Sequence, residues 1–434
     1  MPNQASKSTN IYWNKVKSTL HILCATLFLW CLSACSARKK SNDNLAALYA
    51  EHNNYLVKDL QLINTNDSLT QLWVQITPAK LLFVKSANEN TPEACYEIRY
   101  VVYESLNKKT IADSARVRFQ LRKDSAKTVA QHCLNIRAAA GKNYFVEITT
   151  RDILRKSQFT IIVDLSKKTR QSRHYFSAQQ YNQNIGESAL IAEGSPVFVQ
   201  NKTFPNTDFY VKCYFRTFKL PLAPFDLNTP EAFNHNADSL LRFRSDSNGT
   251  FSFTPLQKGF YLIQADTAAA DGFGLFLFNS EFPYIVHAQQ LIAPLAYISS
   301  PNEFKNLLEA QNSKQAIDDF WEKNCGNKGR AKESIQLYYA RIELTNRLFT
   351  SYREGWRTDR GMIFLIFGPP QLVYRTNEVE KWFYGADNSM MTEEFTFYKV
   401  NNPYSSNAYN LDRLATYKNL WYKMIEAWRD GRIY

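Results

Sequence analysis

The chain has 434 residues, 45% of them hydrophobic, with 52 basic and 40 acidic residues and a formal charge of +12. That apolar content rules out a disordered polymer, and the length asks for two to four domains at roughly 100–200 residues each. Such a charge could favour anionic headgroups, glycans or nucleic acid. The basic residues are scattered rather than blocked and read as a solvated surface, and the export signal described next argues against nucleic acid.

Lys7, Lys15 and Lys17 precede an apolar stretch, Leu20–Trp30, which is followed by Leu32-Ser33-Ala34-Cys35. A basic head, an apolar middle and small residues before a cut make residues 1–34 a secretory signal peptide. The apolar stretch is well short of the roughly 20 residues that span a bilayer. Polar sequence follows at once, with Ser36, Arg38, Lys39 and Lys40. Leu-Ser-Ala-Cys resembles the lipobox of bacterial lipoproteins. The resemblance implies that Cys35 is lipid-modified, becomes the first mature residue and attaches the protein to the membrane. Ser36, rather than Asp, resembles the Gram-negative pattern for the outer membrane. No acidic run of the surface-export type follows, so a cell-envelope protein facing the periplasm is expected. Plain secretion and a retained membrane anchor are the alternatives. Loss of residues 1–34 removes three lysines and no acid, which leaves +9.

Residues 35–54 read as a polar tether with a short helical piece at Leu45–Glu51. Residues 55–168 read as strand after strand: Leu69–Thr77, Leu81–Val84, Cys95–Glu104, Ile111–Leu121 and Tyr144–Arg151. Several alternate apolar with polar, as one-sided strands do, and Gly141-Lys142-Asn143 marks a turn. A β-sandwich follows from this pattern.

Residues 169–294 form a second β-sandwich-like stretch. Its strands are Pro196–Val199, Asp208–Phe218, Leu241–Arg244, Thr250–Phe253, Gly259–Gln264 and Gly272–Asn279. Asp246–Gly249 reads as a hairpin turn. Phe215, Phe251, Phe253, Phe260, Tyr261, Phe273 and Phe276 recur here and suit a core between two sheets better than a sugar-stacking platform.

Residues 295–434 change pattern to α+β. Helices are expected at Glu303–Gln311, at Lys314–Asn324 with Ser313 as N-cap and Gly326 near its stop, and at Ala331–Tyr352. The last carries an apolar stripe of Ile335, Tyr338, Ile342, Thr345 and Phe349. Strands are expected at Met362–Phe367, Lys381–Tyr384 and Glu394–Tyr398. A final helix places Tyr417, Trp421, Met424 and Trp428 on one face. The fold class is therefore multidomain and mainly β, two β-sandwich-like domains followed by a C-terminal α+β domain.

One motif is specific. Gly355-Trp356-Arg357-Thr358-Asp359-Arg360-Gly361 is followed by an apolar run and Gly368-Pro369-Pro370. This phrase resembles the signature of the GWxTD-domain family of envelope proteins. Phe320-Trp321, Tyr338-Tyr339-Ala340-Arg341 and Trp382 fit the same family. Gln371 departs from it, because members commonly carry Asp after the second proline. The family's biochemical role is not established, so the resemblance supplies a domain and not a reaction.

Read by residue chemistry, the motif is a structural corner from helix to strand to stop. Gly355 ends the long helix in a left-handed cap, Trp356 packs the turn, and Thr358 and Asp359 bond backbone amides. Gly361 admits the chain to a strand, and Gly368-Pro369-Pro370 ends it. The competing reading is an anion or carboxylate site lined by Arg341, Arg357 and Arg360, since arginine forks bind such groups. Alternatively, Asp359 is fixed by Arg360 or Arg341 as a buried ion pair, or serves with the neighbouring arginines in an envelope hydrolase. No catalytic residue is assigned, because no nucleophile stands beside a base in a recognisable context.

Cys95 and Cys133 fall in neighbouring predicted strands and either pair or sit as small buried hydrophobes. The sequence leaves the pairing of Cys95, Cys133, Cys213 and Cys325 open. The histidines are dispersed and no C-x-x-C occurs, so no metal or cofactor is expected. The functional expectation is a non-enzymatic scaffold. The sandwiches would be a stalk between the lipid anchor and a C-terminal domain that contacts an envelope protein. The alternative is a peptidoglycan- or glycan-binding module.

Overall fold

A computed structural model describes residues 44–50, 56–85, 91–106, 110–126, 128–385 and 393–433. Residues 1–34, read above as a signal peptide, and Cys35 lie outside the described residues. No helix among those described is long and apolar enough to cross a membrane.

The first body contains β1 (Val57–Asn64), β2 (Leu69–Ile76), β3 (Glu93–Tyr103), β4 (Ile111–Arg122), β5 (Ala130–Arg137), β6 (Asn143–Asp152) and β7 (Ser157–Ser166). One antiparallel sheet has the order β1-β2-β5 and the other β4-β3-β6-β7. Alternation on β2 buries Thr70, Leu72, Val74 and Ile76 and turns Gln71, Trp73 and Gln75 outward. Leu62, Leu72, Val74 and Ile136 from one sheet meet Ile98, Val102, Val146 and Leu165 from the other in a single core. Two sheets thus share their apolar faces, as the period-two pattern requires. Leu81–Val84 does not form the expected strand. It makes only a bridge from Val84 to Glu93.

Neither reading of Cys95 and Cys133 holds. Cys95 lies on β3 between the buried Ala94 and Tyr96, so its side chain faces away from the core. Cys133 lies exposed on β5, beside His132, which turns inward to Tyr96. The two thiols therefore sit on the outer faces of opposite sheets. Both are free, as are the buried Cys213 and Cys325.

The second body holds β8 (Ser177–Gln180), β9 (Gln183–Asn184), β10 (Val197–Gln200), β11 (Asp208–Tyr214), β12 (Ser239–Arg244), β13 (Thr250–Phe253), β14 (Gly259–Gln264) and β15 (Phe273–Leu277). Its two antiparallel sheets run β13-β10-β8-β9 and β12-β11-β14-β15. Phe251, Phe253, Phe260, Tyr261, Phe273 and Phe276 are buried between them, so these aromatics are core. The Asp246–Gly249 turn forms as expected. Gly249 takes φ 72°, and Asp246 Oδ1 accepts from the amides of Asn248 and Thr250.

The C-terminal body has α1 (Ala288–Ile292), α2 (Pro301–Glu309), α3 (Ser313–Cys325), α4 (Lys328–Phe349), α5 (Asp359–Phe367) and α6 (Tyr417–Arg429). A four-stranded antiparallel sheet of β16 (Leu372–Arg375), β17 (Val379–Tyr384), β18 (Glu393–Lys399) and β19 (Tyr409–Leu411) packs with them. Ser300 and Glu303 form a reciprocal cap on α2. Asn312, rather than Ser313, caps α3, and Gly326 ends it at φ 63°. The α4 stripe buries Tyr338, Ile342, Thr345 and Phe349. From α6, Tyr417, Trp421 and Trp428 enter the same core.

Met362–Phe367 is helix, not strand. Its whole length is buried apart from half-buried Phe367, so no amphipathic period marks it. A short continuous apolar run does not distinguish a buried strand from a buried helix.

The stretch expected to be a tether also differs. Residues Ala46–Tyr49 form a 3₁₀ turn that docks on the C-terminal body. Leu45 N donates to Val373 O at 2.9 Å, and Tyr49 is buried in that body's core. The chain thus reaches the C-terminal body before it enters the first sandwich. The sandwiches are not interposed as a stalk between residue 44 and that body.

Candidate functional site

The motif builds a tight corner between α4 and α5. Helix α4 stops at Phe349 with an extended Thr350, and Gly355–Arg357 makes a 3₁₀ turn. Gly355 is therefore not the left-handed helix cap. Its role is close approach, because a Cβ there would fall under 3.0 Å from the Thr345 carbonyl oxygen. Gly361 repeats the device one turn later, where a Cβ would collide with the Gly355 carbonyl oxygen. Two glycines without side chains let α5 lie against the turn and α4.

Thr358 is the N-cap of α5. Its Oγ accepts from Gly361 N at 3.0 Å and donates to Gly355 O at 2.7 Å. This satisfies one of the free amides at the helix start. Trp356 is buried, and its carbonyl accepts from the Tyr297 hydroxyl at 3.0 Å. Gly368 ends α5 at φ 79°, and its carbonyl accepts from Tyr384 Oη at 2.9 Å. Pro369 and Pro370 then direct the chain out of the helix into β16, with Pro370 buried.

The charged residues each meet a partner of their own. Asp359 accepts from Leu411 N at 2.8 Å and forms a buried pair with Arg413 Nη2 at 2.6 Å. Its partner is thus neither Arg360 nor Arg341. Arg413 also donates to Leu222 O at 3.2 Å, which ties the corner to the second body. Arg360 pairs with Glu380 at 3.3 Å, donates to Asn407, and lies 3.9 Å from the Tyr409 ring centroid. Arg357 stacks on Trp356 at 4.3 Å and bonds Glu354 and Phe218 O. Arg341 donates to Leu365 O at 3.4 Å and lies 5.2 Å from the Trp428 ring centroid. Arg341, Arg357 and Arg360 are thus directed at three different sets of protein groups, and not at one shared opening. Asp359 at the start of α5 and Arg341 near its last carbonyls also complement the helix dipole.

Glu380 was not legible as a site residue. It is fully buried on β17 and accepts from Tyr49 Oη at 2.6 Å, from Trp382 Nε1 at 2.6 Å and from Arg360. Arg375 Nε lies 4.0 Å away. Burial, followed by the Glu380 charge, raises the Tyr49 phenol well above its ordinary range, so it stays a neutral donor. Arg375 reaches on to Asp164 of β7 at 3.2 Å, and Lys399 pairs with the same carboxylate. Burial alone would raise Asp164, but Arg375 and Lys399 outweigh it and hold the carboxyl below its usual range. A charged chain therefore runs from the motif to the first sandwich through Arg360, Glu380, Arg375 and Asp164.

A groove lies elsewhere. A space of about 540 Å³ opens where β1 meets the β8–β9 hairpin and the end of β15, lined by Asp59, Tyr181, Gln183, Asn184, Lys258 and Asn279 among others. Gly186 packs directly on the Asp59 carboxylate. Burial, aided by Glu187 nearby, pushes Asp59 up to about 6. Glu187 is held down at about 2 because Arg173 and His174 outweigh its burial. Among the described residues no group of three or more His, Cys, Asp or Glu side chains is placed to hold a metal ion.

The fold and the corner define a multidomain, mainly β protein that ends in an α+β domain organised around a buried Gly-Trp-x-Thr-Asp turn. The family model of the GWxTD domain matches residues 259–430, and the chain is a GWxTD domain-containing protein. The match opens at Gly259, ahead of the boundary read at residue 295, and so takes in β14 and β15. Those strands pack on the C-terminal body: a Cβ on Gly274 would collide with the Tyr404 carbonyl oxygen. No curated protein matches the sequence.

Proposed function

We propose that the protein is an outer-membrane lipoprotein, anchored through Cys35 and facing the periplasm, that acts as a non-enzymatic scaffold for an envelope protein partner. The observation that carries this reading is the internal use of the motif. Asp359 is occupied by Leu411 N and Arg413, and Thr358 by the helix cap. Such an acid is fixed for structure rather than poised for proton transfer. The docking of residues 44–50 adds to the reading, because it brings the chain beyond Cys35 to the GWxTD domain directly.

The test is crosslinking in intact cells with a C-terminal tag, followed by identification of co-purifying proteins. One or two stoichiometric envelope proteins support the scaffold. Nucleic acid is not expected in the complex. No partner at all would overturn the proposal.

A second reading, a peptidoglycan- or glycan-binding module, is favoured by the groove at Asp59. The exposed Tyr181 lines it together with the amide residues Gln183, Asn184 and Asn279. A stacking ring with amide donors and acceptors suits a sugar face and its hydroxyls. Retention on isolated sacculi, lost on Tyr181→Ala, would support it. Equal retention of both proteins, or none of either, would remove it.

A further inference from the structure

We infer that the GWxTD domain contains a peptide-binding site and that residues 44–50 are its ligand, bound in cis. The segment binds as a peptide ligand does. Of its seven residues only Tyr49 is buried; Asn44 and Ala47 are exposed and the others are half-buried. Its main chain runs onto the free edge of β16, where Leu45 N donates to Val373 O at 2.9 Å. Asn44 completes the pairing by accepting from Val373 N and donating to Gln371 O, both at 2.9 Å. The edge main chain is thus read by the Leu45 amide and the Asn44 side-chain amide, while Leu45, Ala46 and Leu48 pack beside the buried Tyr49. Engagement of a sheet edge with a side chain held in a pocket is a common mode of peptide recognition.

The anchor pocket is built without the segment. Its wall is Phe349 of α4 and Trp382 of β17, whose ring centroids lie 5.4 and 5.3 Å from that of Tyr49. Its floor is Glu380, held by Trp382 Nε1 and by Arg360 of the motif. These groups belong to elements that bond one another directly, through the β16–β17 ladder and the Arg360–Glu380 pair. The phenol supplies the remaining donor to a buried carboxylate, which selects tyrosine over phenylalanine. The motif thus acquires a role: Arg360 orients the acid that reads the Tyr49 hydroxyl. Occupancy in cis follows from connectivity, since only residues 51–55 separate Ala50 from Leu56, the start of the first sandwich.

The experiment uses the full chain with a specific protease sequence inserted between Glu51 and Tyr55. After cleavage, the N-terminal fragment should co-elute with the rest of the protein. Excess synthetic peptide spanning residues 44–51 should displace it while the tertiary circular dichroism signal is kept. A labelled peptide should then bind the emptied protein, and its Tyr49→Phe version should bind about 10-fold or more weakly, the loss expected for a hydrogen bond to a charged group. Glu380→Gln in the receptor should weaken the tyrosine peptide and narrow its advantage over the phenylalanine peptide. Loss of the fragment without rebinding would overturn the inference. So would retention that no peptide can displace, or release accompanied by unfolding, because the segment would then be an integral part of the core.

Discussion

Asp359 and Arg413 form a buried pair at 2.6 Å although they are 54 residues apart in sequence. The pair closes the end of α5 against β19, because the same carboxylate accepts from Leu411 N. Removing one partner leaves the other charge buried and unpaired, which costs about 3–5 kcal/mol. Asp359→Asn should therefore lower stability by roughly 3 kcal/mol in urea denaturation. Arg413→Met should cost a similar amount, and the double variant less than the sum. Strict additivity of the two would show that the pair is not coupled.

Gly355→Ala and Gly361→Ala test the corner itself. Both introduce a Cβ into the space of a backbone carbonyl oxygen, which is not free to move as a side-chain tip is. Overpacking of this kind typically costs about 1–3 kcal/mol and more against backbone. Each variant should fall at or beyond the top of that range, seen as a lower urea midpoint. A midpoint within experimental error of the parent would show that the corner is slack.

Asp164 links the first sandwich to the GWxTD domain through Arg375 and Lys399. Its carboxyl is lowered in the folded protein, so its contribution is present above the unfolded value of about 3.9. It is lost as pH falls through the folded value. Asp164→Asn should increase hydrogen exchange along β7 and β16 at pH 7. The difference from the parent should shrink below about pH 4. Equal exchange at pH 7 would mean that the pair does not hold the two bodies together.

Asp59 has the opposite sign. Burial raises it to about 6 from an ordinary value of 3.8, so the folded state prefers the protonated acid. Its favourable contribution is complete below the unfolded value and is lost as pH rises through about 6. Asp59→Asn removes the buried charge and keeps an oxygen to accept from Leu60 N, now bonded at 2.8 Å. The variant should be more stable than the parent at pH 7.5, by up to about 3 kcal/mol at 1.4 kcal/mol per unit, and no more stable at pH 4. A gain that is the same at both values would assign the effect to something other than ionisation.

Cys35 carries the proposed anchor. Metabolic labelling with an alkyne fatty acid should mark the protein and place it in the outer-membrane fraction. Cys35→Ala should abolish both. Labelling that survives the substitution would move the attachment to another residue.

Much of the fold was written locally. Alternation on β2 and β4 set one-sided strands, and the stripes on α4 and α6 set which side chains enter the core. Gly326 and Gly249 marked stops and turns through the left-handed conformation they adopt. The GWxTD phrase was legible as a corner because its residue types each have a local task. Its geometry was harder to read. Thr358 and Gly368 bracket Met362–Phe367 as helix cap and stop, yet a wholly apolar run carries no period to tell helix from strand. Gly355 read as a helix cap and Gly361 as a strand entry, and only the packed structure shows the carbonyls that each approaches.

The sequence by itself determined the modular order, the two sheet-rich regions, the change to α+β and the GWxTD domain. Local patterns of polarity and backbone propensity suffice for the first three, and the motif's resemblance to its family supplies the last. Only the tertiary structure decided that Asp359 meets Arg413, that Glu380 gathers Tyr49, Trp382 and Arg360, that Cys95 and Cys133 face apart, and that residues 44–50 return to the C-terminal body. Those partners lie 20 to 331 residues apart, apart from the local Glu380–Trp382 contact. No local period encodes such distances. They are fixed when buried charges and hydroxyls, withdrawn from water by the packing of the cores, must find one another.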